Sequence, residues 1–242
     1  MDLNDPAILI RVPDTAETAA VDAAIATRRS VRAFLPTPVP RPVVEDILRV
    51  ASRAPSGTNT QPWRVYVLTG DPLRAVCDAV CALHDDPAAK AQLREEYDYY
   101  PTQWKSPFLD RRRKVGWDLY GLLGIGKADK DRMHAQHGRN FRFFDAPVGL
   151  FFTIDRIMGQ GSWLDYGMFL ENVMVAARAR GLHTCPQAAW TLYHQTIKAH
   201  VGATADETLV CGMALGHADP QAVENGLVTE RESVASFATF LA

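Results

Sequence analysis

Residues 54–68 read APSGTNTQPWRVYVL, a turn that runs directly into a strand. Pro55, Gly57 and Pro62 punctuate the first half, and Arg64-Val65-Tyr66-Val67-Leu68 then alternates with the period of a pleated segment. A strand of five residues needs neighbours, and two apolar runs supply them. Pro147–Ile154 is continuous enough to lie inside a sheet. Leu209–Leu215 reads as a second buried strand, with Gly212 and Gly216 marking close backbone approaches. Helical patterns fill the intervals. From Ala19, Val21, Ala24, Ile25 and Arg28 share a face. After Pro42, a good first helical residue, come Val43, Val44, Ile47, Leu48, Val50 and Ala51. Leu73–Leu83 is helical again, and Asp165–Arg180 carries Met168, Phe169, Val173, Met174 and Ala177 inward until Gly181 stops it. Strands and helices do not alternate as βαβ units. The expectation is an α+β fold, with helices covering a central, mostly antiparallel sheet.

The composition is that of a soluble globular chain: 242 residues, 47% hydrophobic and 22% charged. Twenty-six Lys and Arg against 28 Asp and Glu leave a formal charge of -2, which argues against nucleic acid or an acidic membrane as partner. No run approaches the roughly 18 apolar residues of a membrane span. The opening MDLNDPAILIRVPDT lacks the basic region of a secretory signal. Four cysteines are too few for a disulfide scaffold and favour a reducing, cytoplasmic setting. Residues 1–17, apolar only at Ala7–Ile10, read as an arm, and 18–242 as a single domain whose 85–145 region is the most polar and least regular.

Two constellations stand out. Arg28-Arg29-Ser30-Val31-Arg32 closes the first helix, and in an extended segment positions 30 and 32 point the same way. Two guanidinium forks and a hydroxyl match phosphate oxygens, although a basic cluster at a helix C-terminus is commonly just solvated. Ser56, Asn59 and Gln61 crowd one turn, where amide and hydroxyl groups can bond the edge of a heteroaromatic ring or simply shape the loop.

Taken together, RRSVRAF and APSGTNTQPWRVYVL strongly resemble the FMN-dependent nitroreductase family. The resemblance continues through SWLDYGMFLENVMVAARARGL, LHTCPQAAW and LVCGMALGHADP followed by TER, and covers about residues 19–242 in order. It implies a nitroreductase-like fold in an intertwined homodimer with two FMN sites built from both chains. Arg28, Ser30 and Arg32 match the family's phosphate and ribityl contacts, with Arg29 and Val31 in the same segment. Pro55, Ser56 and Asn59 match the loop that meets the isoalloxazine, often from the partner subunit. Pro186, Gln187 and Ala188 match the strand end whose backbone lies beside the reactive ring edge, and Arg231 matches a late basic residue that reaches the phosphate. At Gln187-Ala188-Ala189 the chain departs from the acidic residue and glycine of many bacterial members.

The implied activity is hydride transfer from NADPH or NADH through FMN to a small aromatic acceptor, nitroaromatic or quinone-like, by ping-pong turnover at one shared site. The flavin carries that chemistry, so no catalytic side chain and no metal is expected. The alternatives are a reductive dehalogenase or enoate-type reductase on the same fold, or a flavin-binding protein that senses without turnover.

Other motifs carry less. Gly121–Lys127 has the G-x4-G-K spacing of a phosphate loop, but Ala128 replaces the magnesium-binding hydroxyl and no strand precedes it. Cys77, Cys81 and His84 fall on one helix face and read as core packing. Cys185 and Cys211 read as packing residues on strands, while His134 and His137 read as a solvated face. The run Arg111–Lys114 is too short to claim nucleic acid, which leaves it at most a modest role in attracting NADPH or an anionic substrate. Tyr97, Tyr99, Tyr100, Trp104, Trp117, Phe141, Phe143 and Phe144 either cover the core or close over a flat ligand.

Overall fold

The structure is a computed structural model that describes residues 11–241. The first described helix, α1 (Thr15–Thr27), starts earlier than the apolar pattern suggests. Asp14 accepts from the backbone of Glu17 at 2.8 Å while Glu17 accepts from that of Asp14 at 2.9 Å, a reciprocal cap that fixes the start. Residues 1–10 of the expected arm lie outside the described residues. α1 packs against α7 (Gln160–Ala179) along one side only. Ala24 is therefore buried, whereas Val21 and Ile25, expected on the same inward face, are exposed.

Among the described residues, four strands form one antiparallel sheet in the order β1 (Arg64–Leu68), β2 (Val148–Asp155), β4 (Glu207–Gly216), β3 (His183–Gln187). β2 and β4 are the interior pair and are buried throughout on both faces, apart from Asp155 at the end of β2. That is why they read as continuous apolar runs. Alternation along β2 sends Leu150, Phe152 and Ile154 to one face and Phe151 to the other. On the first face, α7 contributes Tyr166, Phe169 and Val173, and α2 (Arg41–Ala51) contributes Val44 and Ile47. On the second lie Val76 and Val80 of α3 (Gly70–Asp85), Trp190, and Ile197 of α8 (His194–Val201). Gly212 is required here: a Cβ would stand 2.8 Å from the Trp190 Nε1. Gly216 gives way in the same manner to Pro147.

The 85–145 region holds α4 (Pro87–Gln92), α5 (Phe108–Leu122) and α6 (Lys130–Gly138), then a 3-10 segment, Arg139–Asp145. Phe141, Phe143 and Phe144 are fully buried core, and the Tyr97 hydroxyl donates to the Val210 carbonyl. Tyr99, Tyr100 and Trp117 remain exposed. Glu96 pins this region to the sheet by accepting from the Leu209 N–H at 3.0 Å and Lys198 Nζ at 2.7 Å. Gly121–Lys127 begins in the last turn of helix α5 and turns at Gly124, φ +61°, so a helix and not a strand leads into its phosphate-loop spacing. The four cysteines are free, and no described helix is long and apolar enough to cross a membrane.

Candidate functional site

After α1 the chain leaves helical geometry at Arg28 and becomes extended. It then lies along the outer edge of β3. Ser30 forms a parallel bridge with Thr184, and the Val31 N–H donates to the Thr184 carbonyl at 3.0 Å. Asn225 holds the next turn of chain, accepting from the Arg32 N–H at 2.8 Å and donating to the Ala33 carbonyl at 2.8 Å. Two segments more than 150 positions apart are thus joined in register, and the end of β3 delivers Pro186, Gln187 and Ala188 beside the basic segment. Pro186 is acceptable because β3 is an edge strand of the sheet.

The extended geometry sorts the side chains. Ser30 and Arg32 both act on Cys185: burial pushes that thiol up to about 11, against the pull of Arg32 and a hydrogen bond with Ser30. Arg29 and Val31 turn instead toward a cavity of about 570 Å³ that includes Arg178, His183 and Asp219. The Arg28 Nε lies 3.4 Å from Glu171 Oε1 without hydrogen-bond alignment. Along this seam three buried polar atoms lack a hydrogen-bond partner among the described residues: Arg28 Nε, Thr184 Oγ1 and Gln187 Oε1. Buried polar atoms are otherwise nearly always paired. The Gln187 amide nitrogen is committed to the Asn140 carbonyl at 2.7 Å, which leaves its oxygen as a fixed free acceptor.

The other expected residues lie elsewhere in the single chain. Pro55, Ser56 and Asn59 belong to a loop whose Thr58, Asn59 and Gln61 hold φ of +50°, +61° and +48°. Non-glycine residues are strained there, and the surrounding bonds keep them in place: Gln61 N–H to Ser56 Oγ at 3.0 Å and Gly57 N–H to Asp165 at 3.0 Å. The loop precedes β1, and β1 and β3 are opposite edges of the sheet. Three strand spacings, roughly 14 Å, separate it from the Arg28–Thr184 seam. Arg231 lies against α5 and bonds Thr229 and Glu230.

A cavity of about 520 Å³ opens beside Pro186–Ala189, walled by Phe141, Leu192 and Tyr193 and carrying Lys90, Glu95 and Arg112. Arg112 belongs to the basic run Arg111–Lys114, but nothing local in the sequence separates it from that run or joins it to Lys90; the tertiary fold brings the two together. A larger cavity, about 900 Å³, lies under Pro36–Val39 and includes none of the residues expected to bind a ligand. Further back, the His84 ring stacks on His134 at 4.2 Å and His134 pairs with Asp85 at 2.8 Å. Their ligand atoms lie within 4.8 Å of one another, yet face-to-face rings cannot aim two nitrogens at one ion.

Comparison with known proteins gives the class of this fold. The model of the nitroreductase family matches residues 25–217. A 4-nitrobenzoate reductase of Pseudomonas putida is 42% identical over 220 residues, 91% of this chain and 95% of that protein. A chloronitrobenzene nitroreductase of Comamonas testosteroni is 41% identical over 221 residues, 91% of this chain and 96% of its own. Among solved structures, the FMN and NADPH-dependent nitroreductase NfnB of Sphigopyxis sp. strain HMH superposes with a TM-score of 0.87 at 41% identity, covering 92% of this chain and 99% of that one. The chain belongs to the nitroreductase family, and it is an oxidoreductase of the nitroreductase type.

Proposed function

We propose that the chain is one half of a cytoplasmic homodimer that binds FMN, takes hydride from NADPH or NADH, and reduces a nitroaromatic or quinone-like acceptor at the same site in turn. The observation that carries this reading is the seam between Arg28–Arg32 and β3. It sets cations and buried polar atoms without partners beside a strand end, which suits a ligand with an anionic tail and a polar ring edge. FMN has both, and when bound it supplies the hydride-accepting and hydride-donating chemistry.

The chain's own residues hold and orient. Arg28 and Arg32 meet the phosphate with Ser30 as a further donor, Arg29 and Val31 complete the segment, and Arg231 adds a late cation. Pro186, Gln187 and Ala188 lie along the ring, with the Gln187 oxygen ready to accept from a ring N–H. Pro55, Ser56 and Asn59 reach the ring from the partner subunit, since their loop stands at the far edge of its own sheet. Val21 and Ile25 on α1 and Phe237 and Phe240 in the tail are exposed, apolar surface of the kind a second copy covers. The names of the relatives span a carboxylated and a neutral nitroarene, and both fall within the proposed acceptor class.

The test is anaerobic and has two halves. NADPH should bleach the yellow holoprotein, and one addition of nitroarene should restore the colour without a ternary complex. Protein that binds FMN and is never bleached by either nicotinamide overturns the proposal.

A further inference from the structure

We infer that the cavity beside Gln187 selects flat aromatic acceptors bearing a carboxylate, and that Arg112 is the residue that holds this group. The inference rests on the oxidoreductase reading above and goes beyond it in naming the acceptor's charge and the residue that reads it.

The cavity has the size of a small-molecule site, about 520 Å³. Phe141 and Leu192 give it apolar wall, while Tyr99 and Tyr100 stand at its rim. Two cations from different helices face into it, Lys90 of α4 and Arg112 of α5. Glu95 is the opposing carboxylate, so two positive groups meet one negative.

Arg112 is held by aromatic rings and not by a carboxylate. Its neighbours Arg111 and Lys114 are paired with Glu232 and Asp118, each at 2.7 Å. The Arg112 guanidinium instead sits 4.7 Å from the Trp104 ring centre and 5.1 Å from that of Tyr100. Among the described residues, no carboxylate stands within ion-pair distance of it. Stacking on aromatic faces fixes the plane of a guanidinium while leaving its in-plane N–H fork free, the geometry that takes a carboxylate bidentately. Lys90 adds a second positive charge. Its ammonium lies 3.3 Å from His84 Nδ1, and because an ammonium only donates, His84 accepts there and carries its proton on Nε2. Burial, and then Lys90, hold His84 below the usual imidazole range. His137, on the same wall, adds no charge, because burial and then His84 and Lys90 hold it below the usual imidazole range.

The experiment uses the holoenzyme and two acceptors of similar shape, 4-nitrobenzoate and 4-nitrobenzamide, with benzoate as an unreactive probe read by its perturbation of the flavin absorbance. Arg112→Gln should raise the KM for 4-nitrobenzoate and the Kd of benzoate by about 10-fold or more, the loss expected for one charge-assisted pair. It should leave the KM values of 4-nitrobenzamide and NADPH within about twofold, and Arg112→Lys should recover part of the loss. Lys90→Met should shift selectivity in the same direction. Equal effects on both acceptors, or none, overturn the inference. A rise confined to NADPH also overturns it, by assigning Arg112 to a nucleotide phosphate. If the wild-type holoenzyme reduces neither acceptor, the nitroreductase reading itself fails, which is a separate result.

Discussion

The backbone N–H of Val31 donates to the carbonyl of Thr184 over 3.0 Å, and this bond fixes where the basic segment lies against the sheet. It sets Ser30 beside Thr184, two residues from Pro186, and Arg29 faces the cavity that holds His183 and Asp219. The loop of Ser56 and Asn59 stands at the opposite sheet edge. In the proposed homodimer, each binding site therefore combines the seam of one chain with the loop of the other.

Mixed dimers separate that arrangement from a site within one chain. An Arg28→Ala/Arg32→Ala chain and a Ser56→Ala/Asn59→Ala chain should each be poor alone. Co-assembled, they should recover about one good FMN site per heterodimer, measured as bound flavin after desalting. Sites confined to single chains would show no recovery.

Gly212 tests the packing beneath the site. A methyl group there meets the Trp190 ring well inside van der Waals contact. Gly212→Ala should lower stability by about 1–3 kcal/mol, seen as a reduced urea midpoint at unchanged slope. An unchanged midpoint would mean that Trp190 yields freely.

Glu207 should make stability depend on acid. Burial works to raise its pKa, but hydrogen bonds from Thr153, the Thr204 N–H and Tyr66 outweigh it and hold the carboxyl below its ordinary value. Because the folded pKa lies below the unfolded one, this contribution is complete above the unfolded value near pH ~4.3. It is lost as pH falls through the folded pKa. Glu207→Leu should flatten that part of the acid unfolding curve, and by leaving those donors unpaired should lower stability at pH 7 by about 1–3 kcal/mol.

The cysteines should be bystanders. Burial pushes Cys77 and Cys211 up to about 12 and Cys185 up to about 11. All three are thiols at pH 8 and poor nucleophiles. Iodoacetamide at that pH should leave them unlabelled by mass spectrometry, and activity should persist.

Much of this was legible in the sequence, for identifiable reasons. β2 and β4 are interior strands, so their burial on both faces printed two unbroken apolar runs. The strand after the Ser56 loop alternates because β1 is an edge. The start of α1 carried its own signal, Asp14 and Glu17 at capping spacing, which the apolar pattern from Ala19 hides. Arg139–Asp145 was opaque because Phe143, Phe144 and Asp145 adopt positive φ and follow no helical or strand period. The buried carboxylates Glu96 and Glu207 were invisible for another reason: most of their partners are far away in the chain. The same holds for the site. Arg28, Ser30 and Arg32 announce themselves by proximity to one another, whereas Arg112 gains its meaning only from Tyr100, Trp104 and a cavity that β3 completes.

The most direct measurement is the affinity of the apoprotein for FMN, read by quenching of flavin fluorescence on titration. Wild type should bind tightly, and Arg28→Ala/Arg32→Ala should weaken binding by at least about 100-fold, since each charge-assisted bond contributes roughly 1.5–3 kcal/mol. Arg41→Ala, which removes an exposed arginine of α2, should leave it unchanged. Equal FMN affinity in all three proteins, or none in the wild type, would contradict the account.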